Sequence, residues 1–235
     1  MRKMTLPLLA LIVGCNSEDP FFNRGGSYNE VNDSFLIDSG GGDSSDDTGA
    51  LLDHAARDGL LQVIREQGIT QRMPLRTERL AYGRNRLLDV VLAQAERGGA
   101  PWDYVCWADL DGLVGDRFST DGFLSNFQQH EVWDAVFPLS WPLYYDLWAL
   151  REPTICPDDY VWSGQHTLNA ALFAGREIHA ATQQLAPGRV AGWVPVQSAF
   201  GGFGLYKGAV VGQGRYSGLV DGREVGEGDF VRQLF

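Results

Sequence analysis

Apolar runs that stop abruptly at carboxylates constrain this chain more than any other feature. Phe35-Leu36-Ile37 ends at Asp38, and Tyr104-Val105-Cys106-Trp107-Ala108 ends at Asp109-Leu110-Asp111-Gly112. The second run has no alternation, which is the pattern of a strand covered on both faces, as in parallel sheets. Before it, Leu80, Leu87, Leu88, Val91, Leu92 and Ala95 recur at helical spacing until Gly98-Gly99. An earlier helix is expected from a Ser44 or Ser45 cap, opening with Asp46-Asp47, carrying Leu51, Leu52, Ala55 and Ala56, and ending near Gly59. Leu60 to Ile64 reads as a strand, as does Leu8 to Gly14. This strand-helix alternation predicts an α/β domain with a mostly parallel sheet flanked by helices.

Past Gly112 the pattern is mixed. Trp133 to Leu139 and Tyr144 to Leu150 read as strands, residues 165–185 as a helix, and the end of the chain as a glycine-rich tail. The 235 residues suffice for one sizeable domain, and neither a repeat nor a strong linker divides them. A net charge of −11 argues against a nucleic-acid binder and against simple attachment to anionic lipid. Within this acidic chain the arginines at 72, 76, 79, 84 and 86 are clustered. The three cysteines, Cys15, Cys106 and Cys156, have no metal-ligand spacing and fit a reduced, cytoplasmic compartment, with Cys106 a small buried residue. The four histidines, at 54, 130, 166 and 179, show no metal spacing either.

The N-terminus reads in two ways. Met1-Arg2-Lys3-Met4, the apolar Thr5 to Val13 and Gly14-Cys15 resemble a short signal ending in a lipoprotein-type cysteine. The other reading makes Leu8 to Gly14 a buried strand and Cys15-Asn16-Ser17-Glu18-Asp19 its ligand-edge loop. The strand is preferred, because an α/β domain needs one before the strand ending at Asp38. The apolar stretch is too short to span a bilayer.

Ligands of open α/β sheets sit beyond the carboxyl ends of the strands, where Asp38, Asp109 and Asp111 are expected. A D-x-D triplet alone is a weak signal. Following a buried strand and closing on a glycine that permits a tight turn, it reads as a Mg²⁺ or Mn²⁺ site bridging a diphosphate, against the plainer alternative of a solvated turn. Arg84 falls on the apolar arc of its helix with Leu80, Leu87, Leu88 and Val91, so it faces the sheet. An inward guanidinium needs an anionic partner: Asp109, Asp38 or a bound phosphate. A structural Arg-Asp pair stands equal to the ligand reading. Asn85 borders the same face and suits a carboxylate or ribose, and Arg79 either contacts phosphate or is solvated. Ser45, Asp46 and Thr48 read first as helix caps, whereas Asp38, ending a strand before any helix, suits a hydrogen bond from a nucleotide base.

Taken in order, Phe35-Leu36-Ile37-Asp38 with Ser44-Ser45-Asp46-Asp47-Thr48, Arg76-Thr77-Glu78-Arg79-Leu80-Ala81-Tyr82-Gly83-Arg84-Asn85 and Trp107-Ala108-Asp109-Leu110-Asp111-Gly112 resemble bacterial GT-A glycosyltransferases. These are distantly similar to fungal capsule-associated and Golgi mannosyltransferases. The resemblance continues through Tyr144-Tyr145-Asp146-Leu147-Trp148-Ala149-Leu150-Arg151 and Ser198-Ala199-Phe200-Gly201-Gly202-Phe203-Gly204-Leu205-Tyr206, and so covers most of residues 8–235.

The resemblance implies a GT-A fold in one domain, residues 1–235, with a donor-nucleotide half (5–130) and an acceptor half (131–235). It implies a hexose moved from a nucleoside-diphosphate sugar to a glycan or lipid-linked acceptor. Asp38, Arg79, Arg84, Asn85 and Asp109 would bind donor, and Asp109 and Asp111 would hold Mn²⁺ or Mg²⁺. Asp146 would face the acceptor and serve as base if the reaction inverts, with Tyr145, Trp148, Gly201 and Gly202 around the sugar. For Asp146 the alternative is a core strand in which it pairs with Arg151. A lipid-linked acceptor would bring the protein to the inner membrane face.

The chain departs from the family at Val225-Gly226-Glu227-Gly228-Asp229-Phe230, where a Cys-Glu-His-Val-like motif is expected. Glu227 keeps the acid for the metal or acceptor site, but glycine replaces the histidine. Two other readings follow: a catalytically silent nucleotide- or glycan-binding relative, and a sugar-phosphate nucleotidyltransferase. The latter would carry a glycine- and arginine-rich loop where this chain has Cys15-Asn16-Ser17-Glu18.

Overall fold

In chain order the elements are β1 (Leu8–Ile12), β2 (Leu36–Asp38), β3 (Val63–Arg65), a single turn α1 (Ile69–Arg72), the long α2 (Arg76–Gly98) and β4 (Tyr104–Ala108). There follow α3 (Thr120–Ser125), a 3-10 segment (Asn126–Val132), β5 (Ala135–Val136), β6 (Leu150–Arg151), α4 (Leu168–Thr182), β7 (Ser198–Ala199), β8 (Phe203–Lys207), β9 (Leu219–Val220) and β10 (Arg223–Glu224). They come from a computed structural model that describes residues 8–12, 36–38, 53–54, 56–58, 63–65, 69–98, 102–108, 120–139, 144, 146–157, 167–182 and 192–225.

Six strands form one sheet in the order β3-β2-β1-β4-β8-β5. The pairs β3–β2, β2–β1 and β1–β4 are parallel, whereas β8 runs antiparallel to β4 and β5 antiparallel to β8. β4 shows why its sequence does not alternate. Val105 and Trp107 pack with Leu80, Leu87 and Val91 of α2, while Cys106 packs with Trp133 and Leu205. Both faces of the strand are therefore covered, and polar residues have no place on either.

α2 is amphipathic by sequence and buried accordingly. Leu80, Ala81, Leu87, Leu88 and Val91 are at most 5% exposed, and each large aliphatic among them contributes about 1.5–3 kcal/mol of transfer free energy. The N-terminus of α2 is fixed by side chains. Arg79 Nη1 donates to the carbonyls of Met73 (2.9 Å) and Pro74 (2.6 Å). The Thr77 hydroxyl, fully buried, lies 3.1 Å from the Gly218 carbonyl and 2.9 Å from Glu224 Oε1.

A second core gathers Tyr144, Leu147, Leu150, Cys156, Ala171, Ala174, Ile178 and Ala199. α4 supplies its roof, capped by Thr167, whose Oγ1 accepts from the Ala170 N–H at 3.1 Å. A two-stranded antiparallel sheet of β6 and β7 joins the two cores, with Arg151 opposite Ser198.

Two expectations need correction. Tyr144 to Leu150 is not a strand: residues 147–149 are a turn, and only Leu150–Arg151 enter a ladder. The cause is Asp146, whose backbone carbonyl accepts from Ala149 and Leu150 and whose Oδ1 accepts from the Ala149 N–H at 3.2 Å. Trp133 to Leu139 contributes only Ala135–Val136, because Pro138 cannot extend the ladder. The glycine-rich tail contains a hairpin, β9–β10, turning through Asp221 (φ 51°) and Gly222 (φ 74°). Both central residues at positive φ make this the tight turn that Asp-Gly favours.

The helix expected from Ser44 to Gly59 lies largely outside the described residues, and 53–54 and 56–57 are helical within it. Among the described residues, no helix is long and apolar enough to cross a membrane.

Candidate functional site

The sheet register sets which residues share an edge. Ile12 of β1 is level with Leu36 of β2 on one side and Ala108 of β4 on the other. Asp38 is thus the last residue of β2, two positions beyond that level, and β4 ends one residue before Asp109. The exits of β2 and β4 flank β1, about 10 Å apart at the strand spacing of a sheet. β8 approaches the same edge from the opposite direction, since Phe203 pairs with Ala108. Gly201 and Gly202 immediately precede it. Both are buried, and Gly202 has φ 86°, a conformation that a side chain disfavours.

Of the expected site residues, Asp38, the chain leading to Asp109, Gly201 and Gly202 therefore converge on one edge. Asp109, Asp111, Tyr145 and Glu227 lie outside the described residues. Asp109, Asp111 and Glu227 offer carboxylate oxygens, and a set of this kind suits Mg²⁺ or Mn²⁺. Among the described residues, no group of three His, Cys, Asp or Glu side chains could hold a metal ion.

Arg84 stands beside this edge. It is 4% exposed, in the middle of the buried stripe of α2. Its Cζ lies 5.0 Å from the ring centre of Phe200 and 5.7 Å from that of Tyr216. Aromatic faces attract a guanidinium, and more strongly where water is excluded. Arg84 thus places its guanidinium over two aromatic rings, next to the residue that precedes Gly201.

Asn85, expected to reach ligand, holds the backbone of Tyr216 instead. Its Nδ2 donates to the Tyr216 carbonyl at 2.8 Å, and its Oδ1 accepts from the Tyr216 N–H at 2.9 Å. The Tyr216 ring in turn meets Trp107 edge-on, with centroids 5.7 Å apart. Arg79 is similarly engaged through Nη1 with the carbonyls ahead of α2. Trp148 is half-buried under Arg76, whose Cζ lies 5.2 Å from the ring. Asp146 is half-buried and caps the turn that precedes β6.

Cys106 and Cys156 are both buried and outside any disulfide, and His54, His130 and His179 lie on the surface. Phe200 and Tyr216 are the residues that sequence reasoning missed as neighbours of Arg84. Phe200 stood in a recognised motif, but Tyr216 lies 131 positions from Asn85, which hydrogen-bonds its backbone from α2, and no local pattern announces such a contact. Compared with protein-family models, curated proteins and solved structures, the chain matches none.

Proposed function

We propose that the chain is a metal-dependent glycosyltransferase of GT-A plan, moving a hexose from a nucleoside-diphosphate sugar to a glycan or lipid-linked acceptor. The observation that carries this reading is the convergence on one sheet edge of Asp38, the exit of β4 toward Asp109-Leu110-Asp111, and the Gly201-Gly202 approach. In this reading Asp38 accepts from the nucleotide base, and Arg84 lends positive charge to the leaving diphosphate. Asp109 and Asp111, with Glu227, would hold Mn²⁺ or Mg²⁺, which supplies Lewis-acid stabilisation of the leaving group when bound. Gly201 and Gly202 let backbone approach the sugar, and Tyr145 and Trp148 offer it aromatic faces. Asp146 takes the acceptor proton if the anomeric centre inverts. The protein then works on the cytoplasmic side, at the membrane face when its acceptor is lipid-linked.

Calorimetric titration with UDP and GDP, with and without Mn²⁺, tests the reading on wild type and Asp111→Asn. Metal-dependent binding of one nucleotide, lost in the variant, is expected. Binding of neither sinks the proposal.

A second reading, a catalytically silent nucleotide- or glycan-binding relative, is favoured by the engagement of Arg79 and Asn85 with backbone groups and by glycine at the position of the expected histidine. It predicts nucleotide binding with no consumption of any sugar nucleotide by the same protein sample.

A further inference from the structure

We infer that Phe200 and Tyr216 are positioning residues for Arg84, fixing its guanidinium beside the sheet edge so that it meets a diphosphate already oriented. The inference rests on the donor-site reading above. Two rings from separate segments reach the same guanidinium: Phe200 from the β7–β8 connection at 5.0 Å, and Tyr216 from the β8–β9 connection at 5.7 Å. All three residues are buried, with Arg84 4%, Phe200 6% and Tyr216 7% exposed.

The Tyr216 ring is held from two sides. Asn85 grips the Tyr216 backbone with two hydrogen bonds of 2.8 and 2.9 Å, and Trp107 abuts the ring edge-on. Trp107 lies on β4 two residues before Asp109, and Phe200 directly precedes Gly201. The bracket therefore ties the height of Arg84 to the two chain segments that arrive at the edge. An arginine side chain has many rotamers to lose on binding an anion. Holding it between rings in the free protein removes most of that loss beforehand, which is the general advantage of preorganisation.

Such a role has a signature that packing lacks, because the rings matter for binding only while Arg84 is present. The test titrates GDP and UDP with Mn²⁺ into wild type, Phe200→Leu, Tyr216→Leu, Arg84→Ala and the two double variants. Each leucine is expected to weaken binding about tenfold in the wild-type background and to add nothing in the Arg84→Ala background. Tyr216→Phe, which keeps the ring, should bind as wild type. Equal weakening by leucine in both backgrounds would overturn the inference while leaving the donor site intact. Binding of neither nucleotide by wild type would remove the donor-site reading, and this inference with it.

A second measurement needs no destabilised variant. In wild type the Arg84 Nε–H proton, assigned through Arg84→Lys, should be shifted by ring currents and slow to exchange. A random-coil shift with rapid exchange would overturn the bracket itself.

Discussion

Replacing Asn85 by alanine removes both hydrogen bonds to the Tyr216 backbone, 2.8 and 2.9 Å long, and leaves a buried residue with its N–H and C=O unmet on that side. Each bond contributes about 0.5–1.5 kcal/mol net, so the pair is worth about 2 kcal/mol. For a domain of this size, that corresponds to a fall of about 4–8 °C in the unfolding midpoint. Asn85→Asp separates the two bonds, because a carboxylate still accepts from the Tyr216 N–H but cannot donate to its carbonyl. With a carboxylate oxygen set against that carbonyl the two acceptors repel, so it should lose at least as much as alanine. Thermal melts followed by circular dichroism measure both, and urea titration with an unchanged m-value shows that the native state alone was altered. An Asn85→Ala melt within about 1 °C of wild type would refute the reasoning.

Other substitutions probe the same framework. A Cβ on Gly218 would lie 2.3 Å from Thr77 C and 2.4 Å from Glu78 N, backbone atoms that cannot yield, so Gly218→Ala should cost about 3 kcal/mol or more by urea titration. Gly83 lies inside α2, and a Cβ there meets nothing within 4 Å. Gly83→Ala should therefore stabilise by about 1 kcal/mol through helix propensity, and a lowered melting temperature would contradict this. The Arg215–Asp89 ion pair, 2.6 Å long, joins side chains that are 51% and 50% exposed. Arg215→Ala should change stability by no more than about 0.5 kcal/mol, with the difference vanishing in high salt.

The residues show where sequence reasoning sufficed and where it failed. α2 was legible because Leu80, Leu87, Leu88 and Val91 recur at one helical period and meet one surface. Tyr104 to Ala108 was legible because a strand covered on both faces cannot afford a polar residue. Both are local consequences of burial. The segment 144–150 misled because aromatic and aliphatic residues favour strands, while a single Asp146 carboxylate favours the turn it caps. The hairpin at Asp221-Gly222 carried a readable turn signal, hidden among other glycines. The ends of β2 at Asp38 and of β4 at Ala108 were anticipated from the apolar runs that close there, but the surroundings of Arg84 were not. Those depend on Phe200 and Tyr216 arriving from distant parts of the chain, and pairwise contacts at that separation leave no trace in local spacing.

The tie between Thr77 and the β9–β10 hairpin has a consequence for how the molecule is made. Thr77 and Glu224 are 147 positions apart, so at about 5–20 residues per second the ribosome needs roughly 7–30 s to deliver the second after the first. During that interval the opening turn of α2 has neither the Gly218 carbonyl nor the Glu224 carboxylate for its buried hydroxyl. The nascent chain must carry α2 with an unfinished beginning, and a ribosome-stalled chain ending before Gly218 should be cut by protease near residues 72–79 where the released protein resists.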